Sequence, residues 1–254
     1  MITVAGYDAL PDVYEWLMAD DRLTPAGAVE TYDALVSDLP PGARVLDCAC
    51  GTGQLAVGLA GRGFDVVAAD ASAGMVRRTR ELAATTGVSL RTHQVRWDAL
   101  PEHLDGATFD LVLCVGNSLG HAEGAAARLA SLAAMSRVLA PGGRLVLTSR
   151  NWELVREAGS RLDVREQLVR RNGRDAVVVY SWRIEPRWEQ EHGLEIAVAR
   201  VDLDGSVDTC SERLSFWPYR YRELVADLEQ VGLTVGTTTF DREAEGYLVV
   251  ARRG

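Results

Sequence analysis

Residues 44–71 constrain the fold more than any other stretch. They read Arg-Val-Leu-Asp-Cys-Ala-Cys-Gly-Thr-Gly-Gln, then a helix-like run, then Phe-Asp-Val-Val-Ala-Ala-Asp-Ala. Val45 and Leu46 predict a short buried strand, which Asp47 closes. Gly51 and Gly53 let the backbone turn tightly, with no Cβ to block a ligand. A helix is expected from about Gln54, its free N–H groups turned toward the bound molecule. Residues 66–69 form a second apolar run, with Asp70 at its tip. An acid there suits a bidentate grip on ribose hydroxyls. The unit is a nucleoside-binding strand, turn, helix and strand.

Two ligand classes use such a unit. Gly51, Gly53 and Ala56 loosely satisfy the Gly-x-Gly-x-x-Gly/Ala pattern that cradles a pyrophosphate in dinucleotide folds. Asp47, four residues before Gly51, argues for the other class. A carboxylate there repels a pyrophosphate and attracts an ammonium group, directly or through water. S-adenosylmethionine has no phosphate and carries both an ammonium and a sulfonium, so it is the expected ligand. A nicotinamide or flavin site, or a binder of S-adenosylmethionine without catalysis, is the alternative from another class.

A chain of 254 residues fits one domain, or one domain with a sizeable insertion. A net charge of −9 opposes a nucleic-acid partner, because phosphate binding needs a basic surface. Without a basic-then-apolar N-terminus or an apolar run long enough to span a bilayer, a cytoplasmic protein with no membrane partner is expected. Cys48, Cys50, Cys114 and Cys210 read as small reduced core residues. A Cys-x-Cys pair lacking nearby His or Cys partners is a poor zinc signal, and no metal is expected. Association into a homo-oligomer is left open.

Along the chain, residues 1–41 read as a helical flap. Tyr7, Tyr14, Trp16 and Leu17 give it an aromatic face, and Thr24 N-caps a helix begun by Pro25. Val29, Tyr32, Leu35 and Val36 recur at helical spacing in that second helix. Residues 42–150 alternate strand and helix, with strands at 90–95, 109–115 and 144–149, helices at 75–85 and 125–139, and a turn at Pro141-Gly142-Gly143. That alternation predicts a doubly wound, Rossmann-like α/β sheet, mostly parallel, with ligands at the carboxyl ends of its strands. Residues 151–217 change to strand-like runs at 177–180, 194–201 and 213–217, with turn signals at Asn172-Gly173, His192-Gly193 and Asp204-Gly205. They predict an antiparallel β insertion covering the site. Residues 218–254 supply a helix over 219–231 and two closing strands, completing a seven-stranded sheet.

The residues following each strand are the candidate site. Trp97 is placed to stack on adenine, Asp98 to accept from its amino group, and Met75 to pack on the nucleoside, although each also has a plain packing or capping reading. Ala49, Ala71 and Cys114 complete the positions expected around the cofactor. Asn117, Ser118 and His121 fall beside the transferred group. Asn117 can orient an amine, and His121 is a base or a helix-start residue. Arg150 offers a fork that matches a carboxylate bidentately, or an internal salt bridge to Glu153 or Glu157.

Asp-x-x-x-Gly-x-Gly at 47–53, with Asp70 downstream, resembles motif I of class I methyltransferases. Three further runs narrow the likeness: Gly116-Asn117-Ser118-Leu119-Gly120-His121, Arg150-Asn151-Trp152, and Arg213-Leu214-Ser215-Phe216-Trp217-Pro218. Together they resemble the glycine N-methyltransferase family and its bacterial glycine/sarcosine relatives. The resemblance implies N-methylation of a small amine or amino acid by in-line transfer, with no metal. It implies Asn117 and Arg150 on the substrate, Phe216, Trp217 and Tyr14 near it, Trp97 on adenine and Asp70 on ribose. The family's N-terminal arginine for the methionyl carboxylate falls at Thr24 in the ungapped match, and Arg22 is a nearby candidate. Arg96 stands where the family has asparagine, and the segment 160–175 is shorter than the family's. The low Lys content and high Ala, Arg, Gly and Val suit secondary metabolism, so a natural product such as an amino sugar, methylated on N or O, is the second acceptor class.

Overall fold

The computed structural model describes residues 14–165 and 169–254, so Tyr7 lies outside the described residues. The first five strands are β1 (Arg44–Asp47), β2 (Asp65–Asp70), β3 (Arg91–Gln94), β4 (Phe109–Cys114) and β5 (Leu139–Arg150). They are followed by β6 (Arg161–Val164), β7 (Val169–Arg171), β8 (Arg174–Arg183), β9 (His192–Val201) and β10 (Val207–Phe216). The last two are β11 (Leu233–Thr238) and β12 (Gly246–Arg253). The helices are α1 (Pro25–Thr31), α2 (Asp33–Val36), α3 (Gln54–Gly61), α4 (Ala73–Thr86), α5 (Leu100–His103), α6 (Gly124–Arg137), α7 (Trp152–Glu157) and α8 (Tyr221–Gln230).

One sheet has seven strands in the order β11-β12-β5-β4-β1-β2-β3. Strands β1 to β5 pair in parallel, while β12 runs antiparallel to both β5 and β11. The expected fold class, doubly wound α/β with a mostly parallel seven-stranded sheet, is therefore observed. The chain reverses its direction across the sheet between β1 and β4, which opens a crevice at their carboxyl ends. Period-two alternation sends Val45, Val66 and Leu111 to the face carrying α1 and α3, and Leu46, Val67 and Val112 to the face carrying α5, α6 and α8. The second sheet is antiparallel, in the order β10-β9-β8-β6, with β7 also on β8.

Local chemistry explains most boundaries. Thr24 Oγ1 accepts from Gly27 N at 3.1 Å, capping α1 as its sequence predicts. A Cβ at Gly58 would overlap the Pro25 carbonyl and Val29, so α1 lies close on α3 only because that position is glycine. Asn172 and Gly173 have φ of 52° and 79°, the pair of positive angles a tight β7–β8 hairpin needs. Pro141-Gly142-Gly143 does not separate two elements. It bulges within β5, where the pairing to β4 shifts register. His192-Gly193 is not a turn but the start of β9, because His192 pairs with Phe216 and Gly193 with Arg183 and Ser215; the Arg156 guanidinium also holds the buried His192 imidazole at 2.7 Å. Helix α7 and strand β6 were absent from the expected pattern; both are too short to show a period.

A nearly buried ion pair, Arg128 to Asp227 at 2.7 Å, joins α6 to α8, with the guanidinium also 4.9 Å over the Tyr219 ring. Removing one partner strands the other's charge. Arg128→Ala is expected to lower stability by about 3 kcal/mol in chemical denaturation, and Arg128→Met with Asp227→Leu to recover most of it.

Candidate active site

Five strand tips converge at the crevice. The motif loop is held from beneath by two carboxylates. Asp47 is 1% exposed and accepts from Ala49 N at 3.3 Å. Asp70 accepts from Gly51 N at 3.0 Å through one oxygen and from Ser72 N at 2.9 Å through the other. Asp70 thus braces the glycine turn, while each oxygen keeps a second lone pair for a ligand. Gly51 and Gly53 have φ of 53° and 93°, which a side chain would strain, and a Cβ at Gly53 would lie 2.8 Å from Thr79. Thr79 Oγ1 in turn donates to Gly51 O at 2.9 Å, locking α4 to the loop.

The two carboxylates share an environment that burial makes unfavourable for negative charge. Desolvation pushes the Asp47 pKa up to about 7, a shift opposed by the Ala49 N–H and reinforced by Asp70. Asp70 is raised for the same reason, against the N–H groups of Ser72, Gly51 and Ala71. Among the described residues the partners of both acids are backbone N–H groups, not side-chain cations. The donor set fits a cationic, phosphate-free nucleoside and opposes a pyrophosphate.

Around this loop stand the other predicted cofactor residues. Trp97 follows β3 in a 3-10 turn and donates its indole N–H to Cys48 O at 2.7 Å, fixing the half-buried ring against the loop. Asp98 is exposed and pairs with Arg96 at 3.3 Å. Met75 and Cys114 are 1% and 0% exposed and belong to the core, so they back the site from within. Ala49 is partly buried and packs against the same core, while Ala71 O accepts from Gln94 at 3.4 Å. Tyr14, expected near the substrate, stands at the glycine loop. A Cβ at Gly51 would touch its ring at 3.9 Å, and burial, then Asp70, raise its pKa. Arg22 is exposed on the Asp20–Arg22 turn, and its charge reaches Tyr14 and Tyr32.

The side of the crevice where the acceptor residues are expected is built by β4, β5 and the insertion. Asn117 has φ of 64°, a left-handed conformation that starts the Ser118–His121 turn. Gly116 N donates to Thr148 Oγ1 at 2.9 Å, tying this turn to β5. His121 Nδ1 donates to Ser215 O at 2.8 Å. Burial, with the Arg150 charge adding to it, lowers the His121 pKa to about 4. The imidazole is therefore neutral, with Nε2 in its acceptor form, and is a weak base at neutral pH. Phe216 stacks on it with centroids 4.3 Å apart and also meets Trp152 and Trp182. Gly120 admits these rings: a Cβ there would come within 2.8 Å of Trp152. The Arg150 guanidinium lies 5.3 Å over the Trp182 ring. Trp217 is half-buried, its backbone N–H donating to Gly120 O at 2.8 Å.

Four residues that the sequence did not single out for the site belong near it. Thr148 lies two residues before Arg150 on β5, and strand alternation alone could have flagged it. Tyr32, read only as part of a helical stripe, bonds Thr148 and feels Asp47 and Arg22. Trp182 and Tyr180 carried no local signal, since only the insertion's pairing brings them to Arg150. A concavity of about 520 Å³ lies elsewhere, between α6, the end of α8 and Arg253.

The raised Asp47 pKa has a testable sign. The folded chain holds a proton that the unfolded chain, at the ordinary value of 3.8, releases. The associated stability is complete below about pH 4 and is lost as pH rises through about 7. Asp47→Asn is expected to melt higher than the wild type at about pH 8, with the difference closing toward about pH 4. The same variant is expected to bind S-adenosylhomocysteine more weakly in calorimetric titration.

Residues 45–143 match the family model described as a methyltransferase domain. A glycine/sarcosine N-methyltransferase of Halorhodospira halochloris is 35% identical over 154 residues, 60% of this chain and 54% of that protein. One from Parasynechococcus marenigrum is 42% identical over 120 residues, 47% of this chain and 42% of the relative. The chain thus spans about half the length of the curated relatives it matches. Among solved structures, the S-adenosylmethionine-bound amino pentose methyltransferase of Micromonospora echinaspora superposes with a TM-score of 0.74, at 24% identity, over 96% of this chain and 95% of that one. Streptomyces venezuelae DesVI gives 0.78 at 22% identity, over 97% and 98%. These two likenesses carry the fold. The match identifies residues 45–143 as a methyltransferase domain, in a chain similar to the glycine/sarcosine N-methyltransferases.

Proposed function

We propose that the chain methylates the nitrogen of a small amine bearing a carboxylate, such as an amino acid of the glycine or sarcosine kind. One observation carries the reading. Arg150 extends from the tip of β5 beneath the insertion, over the Trp182 ring and near enough to His121 to depress its pKa. A guanidinium beside aromatic walls, away from bulk water, is a strong and directional partner for a carboxylate. The sequence similarity to glycine/sarcosine N-methyltransferases supports the same acceptor.

Bound S-adenosylmethionine supplies a methyl group already activated by its sulfonium. On this reading Asp47 and Asp70 hold its ammonium and ribose, Trp97 lies along its adenine, and Arg22 answers its carboxylate. What remains for the protein is alignment and exclusion of water. Arg150 fixes the acceptor through its carboxylate. Asn117 and His121 accept from its N–H groups and turn the nitrogen lone pair toward the methyl carbon. His121 suits this because, with a pKa of about 4, it stays neutral and does not compete as a cation. Phe216, Trp152 and Trp182 close the pocket against water. The folding of the chain over its whole length like an amino pentose methyltransferase favours a second reading, an amino-sugar acceptor.

Arg150→Ala separates them. For an amino-acid acceptor its KM should rise about 10- to 100-fold, the worth of a charge-assisted pair. Affinity for S-adenosylhomocysteine should stay nearly intact. A panel of glycine, sarcosine, dimethylglycine and amino sugars, followed by S-adenosylhomocysteine release, provides the readout. Unchanged acceptor kinetics in the variant would remove the carboxylate from the proposal.

A further inference from the structure

Ahead of α1 the chain passes the glycine loop in two three-residue turns, Tyr14–Trp16 and Asp20–Arg22. Turns this short have little stability of their own and leave carbonyls outside any helical ladder. The insertion meets those carbonyls with two arginines. Arg171, whose side chain is 10% exposed, donates to Glu15 O at 3.4 Å, Met18 O at 3.3 Å and the Asp20 carboxylate at 2.7 Å. It also donates to its neighbour's carbonyl, Arg170 O, at 2.8 Å. Arg165 donates to Trp16 O at 3.2 Å. The Trp16 side chain is set in the main core. Tyr14 begins this segment. Its ring lies at Gly51, near enough to Asp70 and Asp47 for both charges to add to the rise that burial gives its pKa. One short segment thus joins the glycine loop to the insertion.

We propose that Arg171 is a positioning residue for the cofactor: by gripping residues 15–20 it holds Tyr14 against the glycine loop. The proposal rests on the reading that S-adenosylmethionine binds at that loop, and is independent of the acceptor. A guanidinium suits the task, because its planar fork serves acceptors on several residues at once, whereas an ammonium is a point charge. Asp20 is 87% exposed, so its ion pair contributes little on its own. The grip lies in the charge-assisted bonds to the Glu15 and Met18 carbonyls. Arg171 ends β7, and across the Asn172-Gly173 turn it pairs with Arg174 of β8. Strand β8 also carries Trp182, the ring under the Arg150 guanidinium. The hairpin that grips the cofactor side is therefore rooted in the acceptor wall. Without the grip, Tyr14 must be ordered as the cofactor binds, at a cost in affinity. By linkage the effect is reciprocal: a ligand that holds Tyr14 also stills the hairpin.

A double-mutant cycle read by calorimetric titration with S-adenosylhomocysteine tests this. Arg171→Ala and Tyr14→Ala should each weaken binding about 10-fold. The double variant should bind no more than about two-fold worse than the weaker single variant, because one residue acts through the other. A merely structural Arg171 lowers the melting temperature and multiplies with Tyr14→Ala instead. Amide exchange of the wild type gives a second measurement that needs no variant to fold. S-adenosylhomocysteine should slow exchange in residues 14–22 and, with them, in the hairpin 169–175. Among the described residues that hairpin has no hydrogen bond to the glycine loop, so its protection reports the grip. Unchanged affinity in Arg171→Ala, multiplying effects in the double variant, or no protection of the hairpin overturns the proposal while the cofactor reading stands. A wild type that does not bind S-adenosylhomocysteine overturns both.

Discussion

Two carboxylates buried at neighbouring strand tips set the terms for everything around them. Asp47 and Asp70 are held by backbone N–H groups of the very loop they support. The loop keeps its shape because Gly51 and Gly53 tolerate positive φ and because Thr79 closes on it from α4. Such a site is costly while empty of positive charge, since burial penalises both ionised acids. A cationic ligand turns that penalty into affinity, and a pyrophosphate would add to it. The electrostatics of the scaffold thus choose the ligand class before any specific contact is counted.

The cofactor loop and the acceptor wall are also joined away from the sheet. Arg171 of β7 reaches the Glu15 and Met18 carbonyls at 3.4 and 3.3 Å and the Asp20 carboxylate at 2.7 Å. Arg165 donates to the Trp16 carbonyl at 3.2 Å. The segment that brings Tyr14 to the glycine turn is therefore clamped by the insertion. On the other flank, Arg156 of α7 donates to the Glu185, Pro186 and Arg187 carbonyls and lies 4.5 Å over Trp188. Cofactor side and acceptor side are mechanically linked, so a shift of the insertion acts on both.

Much of the fold was legible because it rests on local signals. The apolar runs at Val45 and Val66, the glycines and the alternation of elements locate the parallel sheet and its crevice. The two acids were legible for the same reason, each being the last residue of its strand. What could not be read depends on long-range pairing. Tyr14 belongs to the cofactor loop only because α1 docks on Gly58 and the insertion grips the preceding turns. Trp182 reaches Arg150 only through the register of β8 with β6 and β9. His192 sits in a strand because it pairs with Phe216, twenty-four residues later. Asn151, read only as part of a motif, proves to be a structural bolt: its amide donates to the Asp241, Arg242 and Ala244 carbonyls and fastens the β11–β12 loop to the tip of β5.

That bolt bears on acceptor choice. Arg150 precedes Asn151 directly, so the anchoring of the next residue limits where the guanidinium can swing. Its guanidinium lies over an aromatic face and close enough to a neutral imidazole to act on its charge. In such surroundings Coulomb attraction is several-fold stronger than in water, and an uncharged hydroxyl gains little from it. The half of the protein that recognises the cofactor is generic in its chemistry. On the proposed reading, the acceptor is decided by one held arginine and the aromatic wall that an inserted sheet brings to it.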